Sequence, residues 1–145
     1  KTAPLKADHI VKNAGKLVNA VLPKVIYPTM PYHFGYEGLG YEGRKFSITV
    51  RFNTDMDRNT VIAGSTVIFD FPQAANTPGQ ITWINDWEFK WVQQSGTIYD
   101  ICIYNDCAFK LTLTDGILSK EGLKLDGDND NKQGGNYTLW FKDLG

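Results

Sequence analysis

At 145 residues the chain fits one domain, and 15 basic against 16 acidic residues leave a net charge of −1. No Lys/Arg stripe stands out, so nucleic acid is not expected as a partner, and no apolar run approaches the roughly 18 residues of a membrane-spanning helix. Aromatics form 13% of the chain and are interleaved with Thr, Val and Ile, a mixture that suits pleated, half-buried surfaces better than helices.

The opening "KTAPLKADH" carries no apolar signal core, so an export signal has been removed or never existed. Ile10, Val11, Ala14, Leu17, Val18 and Val21 then recur at three- and four-residue spacings. This predicts an amphipathic helix capped by Asp8 and closed by Pro23. Gly15 and two asparagines interrupt the pattern, which leaves an irregular packed segment as the alternative. Residues 1–22 are thus set apart from a sandwich domain over 23–145.

"PKVIYP" reads as a short strand ending at Pro28, followed by the loop "TMPYHFGYEGLGYEG". Its aromatics (Tyr32, Phe34, Tyr36 and Tyr41) alternate with Gly and Pro, which resists regular structure. The loop either caps the core or presents aromatic faces to a sugar or a protein.

From Arg44 the pattern is β. In "KFSITVRF" Phe46, Ile48, Val50 and Phe52 alternate with smaller or polar residues, and "STVIFDF" behaves similarly. "QITWINDWEFKWV" predicts a hairpin turning at Asn85-Asp86, with Trp87, Phe89 and Trp91 on one face. In that register Trp83 pairs with Glu88 on the outer face, so either Trp83 is exposed or the hairpin carries a bulge. "IYDICIY", "AFKLTLTDG" and "NYTLWF" supply further short strands. About seven strands separated by Gly/Asn/Asp turns predict an all-β fold, an antiparallel sandwich.

Cys102 and Cys107, in "CIYNDC", either bond across a short turn in an exported protein or serve as two small apolar core residues. Together with the distant His9 and His33 they lack zinc-ligand spacing. Catalytic signatures are missing: there is no G-x-S-x-G, no Cys matched to a His, and no H-E-x-x-H. Glu37, Glu42, Glu88 and Glu121 have no distinguishing context as a glycosidase pair. The chain is therefore not expected to be an enzyme.

The stretch "LDGDNDNKQGGNY" (Leu125 to Tyr137) places Asp126, Asp128 and Asp130 in alternation, as calcium loops often do. Counting from Asp126, however, the sixth and twelfth positions hold Asn131 and Tyr137 instead of Gly and Glu, so this is not an EF-hand. It is a weak calcium site or a solvated turn built from residues that tolerate left-handed backbone.

Two stretches go beyond generic β pattern. In "ITVRFNTDMDRNTV" a strand is followed by Phe-x-x-x-Met-Asp and Thr-Val. In "LTLTDGILSKEGLKLDGDNDNKQGGNYTLWF" a strand meets Asp-Gly-Ile, Leu-Asp-Gly, the acidic loop, Gly-Gly and a last strand. Together they resemble the bacterial Ig-like domains of the SbsA type, found in S-layer and exported proteins of Bacteroidetes and related bacteria. The resemblance covers roughly residues 23–144.

The resemblance implies an Ig-like antiparallel β-sandwich of about seven strands with Phe52 and Met56 in the core. It also implies that Asp57 caps the turn "RNTV", that Leu125 packs inward and that Gly127 permits a reversal. In function it implies a non-catalytic spacer, display or adhesive module of an exported surface protein, with or without a lipid anchor, monomeric, with other domains, surface proteins or glycans as partners. The alternatives are a carbohydrate-binding module stacking sugars on Tyr32, Tyr36, Tyr41 and Trp83, and a calcium-dependent module built on Asp126, Asp128 and Asp130. No other cofactor is expected.

Overall fold

In a computed structural model the described residues are 9–13, 16–28, 39–42, 45–70, 79–93, 102–103 and 106–143; of 9–19, 39–42, 102–103, 106–108 and 141–143 only the backbone is described. Nearly all regular structure is β. The helix expected before Pro23 is replaced by a hairpin, β1 (His9–Asn13) against β2 (Lys16–Ala20), with His9 opposite Ala20 and Asn13 opposite Lys16. β-branched Ile10, Val11 and Val18 lose χ1 freedom in a helix, and the two-residue connection containing Gly15 has the length of a tight hairpin loop. The three- and four-residue spacings arise from two adjacent apolar pairs, Ile10-Val11 and Leu17-Val18, one in each short strand.

β5 (Lys45–Phe52) shows how sequence becomes core: Phe46, Ile48, Val50 and Phe52 are all fully buried on one face. Its antiparallel neighbours are β3 (Val25–Tyr27) and β4 (Leu39–Glu42) on one flank and β8 (Glu88–Val92) on the other. β7 (Gln80–Asn85) forms the far edge, giving the order β3-β5-β8-β7. The second sheet runs β11-β10-β6, built from β6 (Val67–Asp70), β10 (Asp106–Leu113) and β11 (Tyr137–Asp143), with the short β9 (Cys102–Ile103) also on β10. Lettered by chain position, β3, β5, β8 and β7 are strands A, B, E and D, and β11, β10 and β6 are G, F and C. This is the seven-strand arrangement of an immunoglobulin-like sandwich.

The two inner faces meet in an aromatic core. Phe69 of β6 lies 4.2 Å from Trp91 of β8 between ring centroids, and Phe46 of β5 lies 5.4 Å from Phe109 of β10. Such offset and tilted pairs add to the burial term that drives the sheets together. The outer face of the first sheet carries a polar cluster: Arg51 packs on the Tyr27 ring at 5.2 Å, pairs with Glu88 at 2.7 Å, and Glu88 accepts from Asn85 at 3.3 Å.

The β7–β8 hairpin resolves the two alternatives for Trp83. The register shifts between Trp83, which stands opposite Phe89, and Asn85, which stands opposite Glu88. The bulge turns Trp83 to the core side, 5.4 Å from the Phe89 ring. It also moves the turn to Asp86-Trp87, where the Asn85 carboxamide oxygen accepts from Trp87 N at 2.9 Å. Trp87 therefore sits in the turn and does not share the strand face of Phe89 and Trp91.

The architectural expectations after β5 hold. Phe52 and Met56 are fully buried. Asp57 caps a single 3-10 turn, Arg58–Thr60, its carboxylate accepting from Asn59 N at 3.1 Å.

Candidate functional site

The acidic loop is anchored at its base by Leu125, fully buried, whose N–H donates to Ile117 O at 2.9 Å. Asn129 and Asn131 take left-handed backbone (φ 59° and 66°), as do Gly134 and Gly135 (φ 99° and 95°). This curls the chain so that the N–H groups of Asp130 and Asn131 point back at Asp126, whose carboxylate accepts both at 3.1 and 2.9 Å. The side chain of Asp126 is completely buried.

A cation is already part of this cluster, and it comes from the chain. The ammonium of Lys24 lies 3.4 Å from the Asp126 carboxylate and donates to Asn129 Oδ1 at 2.9 Å and to Asn131 Oδ1. The backbone alongside is joined too, since Asp126 N donates to Pro23 O at 2.9 Å. The loop thereby fastens the lead-in to β3 against the sandwich. Further stitches come from Asp115, which accepts from Gly135 N at 2.9 Å, and from Gln133, which accepts from Lys124 N at 2.9 Å.

Asp126, Asp128 and Asp130 each bring a carboxylate oxygen within 4.8 Å of the others. Burial alone would push the Asp126 carboxyl up. The N–H groups of Asp130 and Asn131, a hydrogen bond with Asp128, and Lys24 outweigh it and hold Asp126 below the usual carboxylate range. Asp128 moves the other way: lost hydration, its hydrogen bond with Asp126 and the charge of Asp130 all raise it. Of the two, Asp128 is therefore the first to take a proton as pH falls.

A second cluster joins the 3-10 turn to the β7–β8 turn. Asp86 pairs with Lys120 at 2.5 Å and with Arg58 at 2.9 Å. Hydrogen bonds from these two cations, Lys120 first, hold the Asp86 carboxyl below its ordinary value. Asp86 thereby binds three separate loops on the surface.

Of the aromatic surface residues, Tyr32 and Tyr36 lie outside the described residues, as do Glu37 and His33. Tyr41 belongs to β4, where its backbone pairs with Phe46, but its side chain is not described. Trp83 is half-buried, packed on the core and covered by the Arg58 guanidinium at 5.2 Å. Among the described residues the large aromatic ring that faces solvent is Trp140, 70% exposed on the outer side of β11, with Lys110 Nζ at 5.1 Å from its centroid. Sequence reading passed over it, although the alternation of "NYTLWF" sets Trp140 opposite Tyr137 and Leu139. Cys102 and Cys107 are direct register partners between β9 and β10.

The sequence matches no protein-family model. No curated protein matches it either.

Proposed function

We propose that the chain is a non-catalytic Ig-like module of the SbsA type, serving as a spacer, structural or adhesive unit in an exported bacterial surface protein. One observation carries this reading: the aspartates with the most partners hold loops together. Asp126 is buried among backbone N–H donors and Lys24, Asp86 ties three loops, and Asp57 caps a turn. A sandwich whose strands A to G close a continuous aromatic core suits a unit that transmits position and load. Surface proteolysis and fractionation of the cells that make the protein are expected to find it outside the cytoplasmic membrane. Recovery only from the cytoplasm would overturn the proposal.

Trp140 favours a second reading, in which the module stacks a sugar ring on an exposed aromatic beside a lysine. The stacking residue is then Trp140 and not the half-buried Trp83. Binding on a glycan array that disappears in Trp140→Ala supports it, and binding unchanged by that substitution removes it. In a calcium-dependent version, the ion would have to displace the Lys24 ammonium from Asp126.

A further inference from the structure

We infer that Cys102 and Cys107, the only two cysteines in the chain, are joined by a cross-strand disulfide that closes the β9–β10 hairpin. The pairing rests on the backbone register, and persistence of the bond in the cell rests on the export proposed above, since the cytosol keeps thiols reduced. Ile103 stands opposite Asp106 and Cys102 opposite Cys107. Two residues, 104 and 105, separate the strands. In a two-residue hairpin the pair flanking the turn is hydrogen-bonded, and the next pair outward is not. Cys102 and Cys107 occupy that second pair. Non-hydrogen-bonded partners have Cα atoms about 4.5 Å apart with their side chains on one face and close together, inside the roughly 4.4–6.8 Å Cα range of disulfides. A slip of one residue would set each cysteine against a different partner and remove the pairing altogether.

The bond has work to do at this place. Among the described residues β9 is held to β10 by two register pairs, while β6 covers β10 further along, from Lys110 to Leu113. A covalent link therefore fixes the strand with the weakest backbone hold in its sheet. In the reaction two thiols lose two protons and two electrons to form one S–S bond. The electrons reduce the disulfide of a thiol oxidant, small or protein-borne, to two thiols.

The test uses the full chain, reduced and then treated with oxidised glutathione at low protein concentration. Alkylation without reductant and intact mass measurement follow. The expected product is lighter than the reduced chain by two hydrogens, takes no alkyl group, carries no glutathione, and regains two alkylation sites after reduction. Cys102→Ser under the same treatment is expected to keep one alkylatable or glutathione-capped thiol. Two alkyl groups, two glutathione adducts, or chains linked to one another in the wild type would overturn the inference.

Discussion

Gly127 sits where the backbone of residues 135–137 closes in on the start of the acidic loop. A glycine was expected there to permit a reversal, but its φ is not left-handed. What excludes a side chain is room: a Cβ would stand 2.2 Å from Tyr137 N, 2.3 Å from Asn136 C and 2.4 Å from Gly135 O, all backbone. Gly127→Ala is expected to cost about 2–3 kcal/mol, read from urea midpoints, because backbone cannot turn aside as a side-chain tip can. Gly122→Ala is the contrast: φ is +89° with nothing within 4 Å, so only backbone strain of about 1 kcal/mol is expected. Close approach between loops distant in sequence leaves no local trace, which is why a glycine can be spotted and its purpose missed. Tyr137 makes a related point. Burial pushes its phenol from 10.0 up to about 12, and its hydroxyl donates to Pro28 O. This raised value adds stability that is complete below pH 10 and lost as pH rises through about 12. Tyr137→Phe is expected to flatten that alkaline loss in denaturation curves measured across the range.

The acidic loop is an element whose composition was legible and whose partner was not. Alternating Asp and Asn residues announce a turn that gathers oxygens around positive charge. Nothing local says that the charge belongs to Lys24, about a hundred residues earlier. Lys24→Met keeps most of the stem and removes the ammonium, and it is expected to destabilise by about 1–2 kcal/mol in urea, since it leaves the buried Asp126 carboxylate with less compensation. Asp126 sets the acid side. Its folded value is depressed, so its stabilisation is present above the ordinary carboxylate range and disappears as pH falls through the lower folded value. Asp126→Asn is expected to be less stable near neutrality and to show a shallower acid limb. With Lys24 in place, millimolar calcium is expected to leave the melting temperature where a chelator leaves it. The β7–β8 hairpin was half legible: its existence followed from alternation, whereas the bulge that turns Trp83 inward depends on what the strand packs against. The hairpin before Pro23 was misread because two short strands imitated a helical period.

For the whole molecule, alternating hydrophobics were enough to foresee an antiparallel sandwich of about seven strands. The A-B-E-D and G-F-C order was not legible, because strand partners are chosen by long-range packing; the resemblance implied an Ig-like sandwich and no particular order. Antibody domains join strands B and F with a disulfide; here Phe46 and Phe109 meet between those strands at 5.4 Å. Either ring cut to Ala is expected to cost about 3–5 kcal/mol. The double variant should cost less than the sum, because the second cut enlarges a cavity already made. Additive losses in a double-mutant cycle would show that the rings do not act as a joint.

The tie between Lys24 and the acidic loop has a mechanical meaning. Residues 22–28 are joined to the far end of the chain at several points: Pro23 O to Asp126 N, Lys24 to the loop side chains, and Pro28 O to the Tyr137 hydroxyl. Pull on the two ends of the domain and tension enters through that first segment and leaves along β11. These contacts join the entering segment to the loop and strand at the other end, so they share that load between them. In a module strung in series, the strength of the string would then depend on the acidic loop and its tie to Lys24.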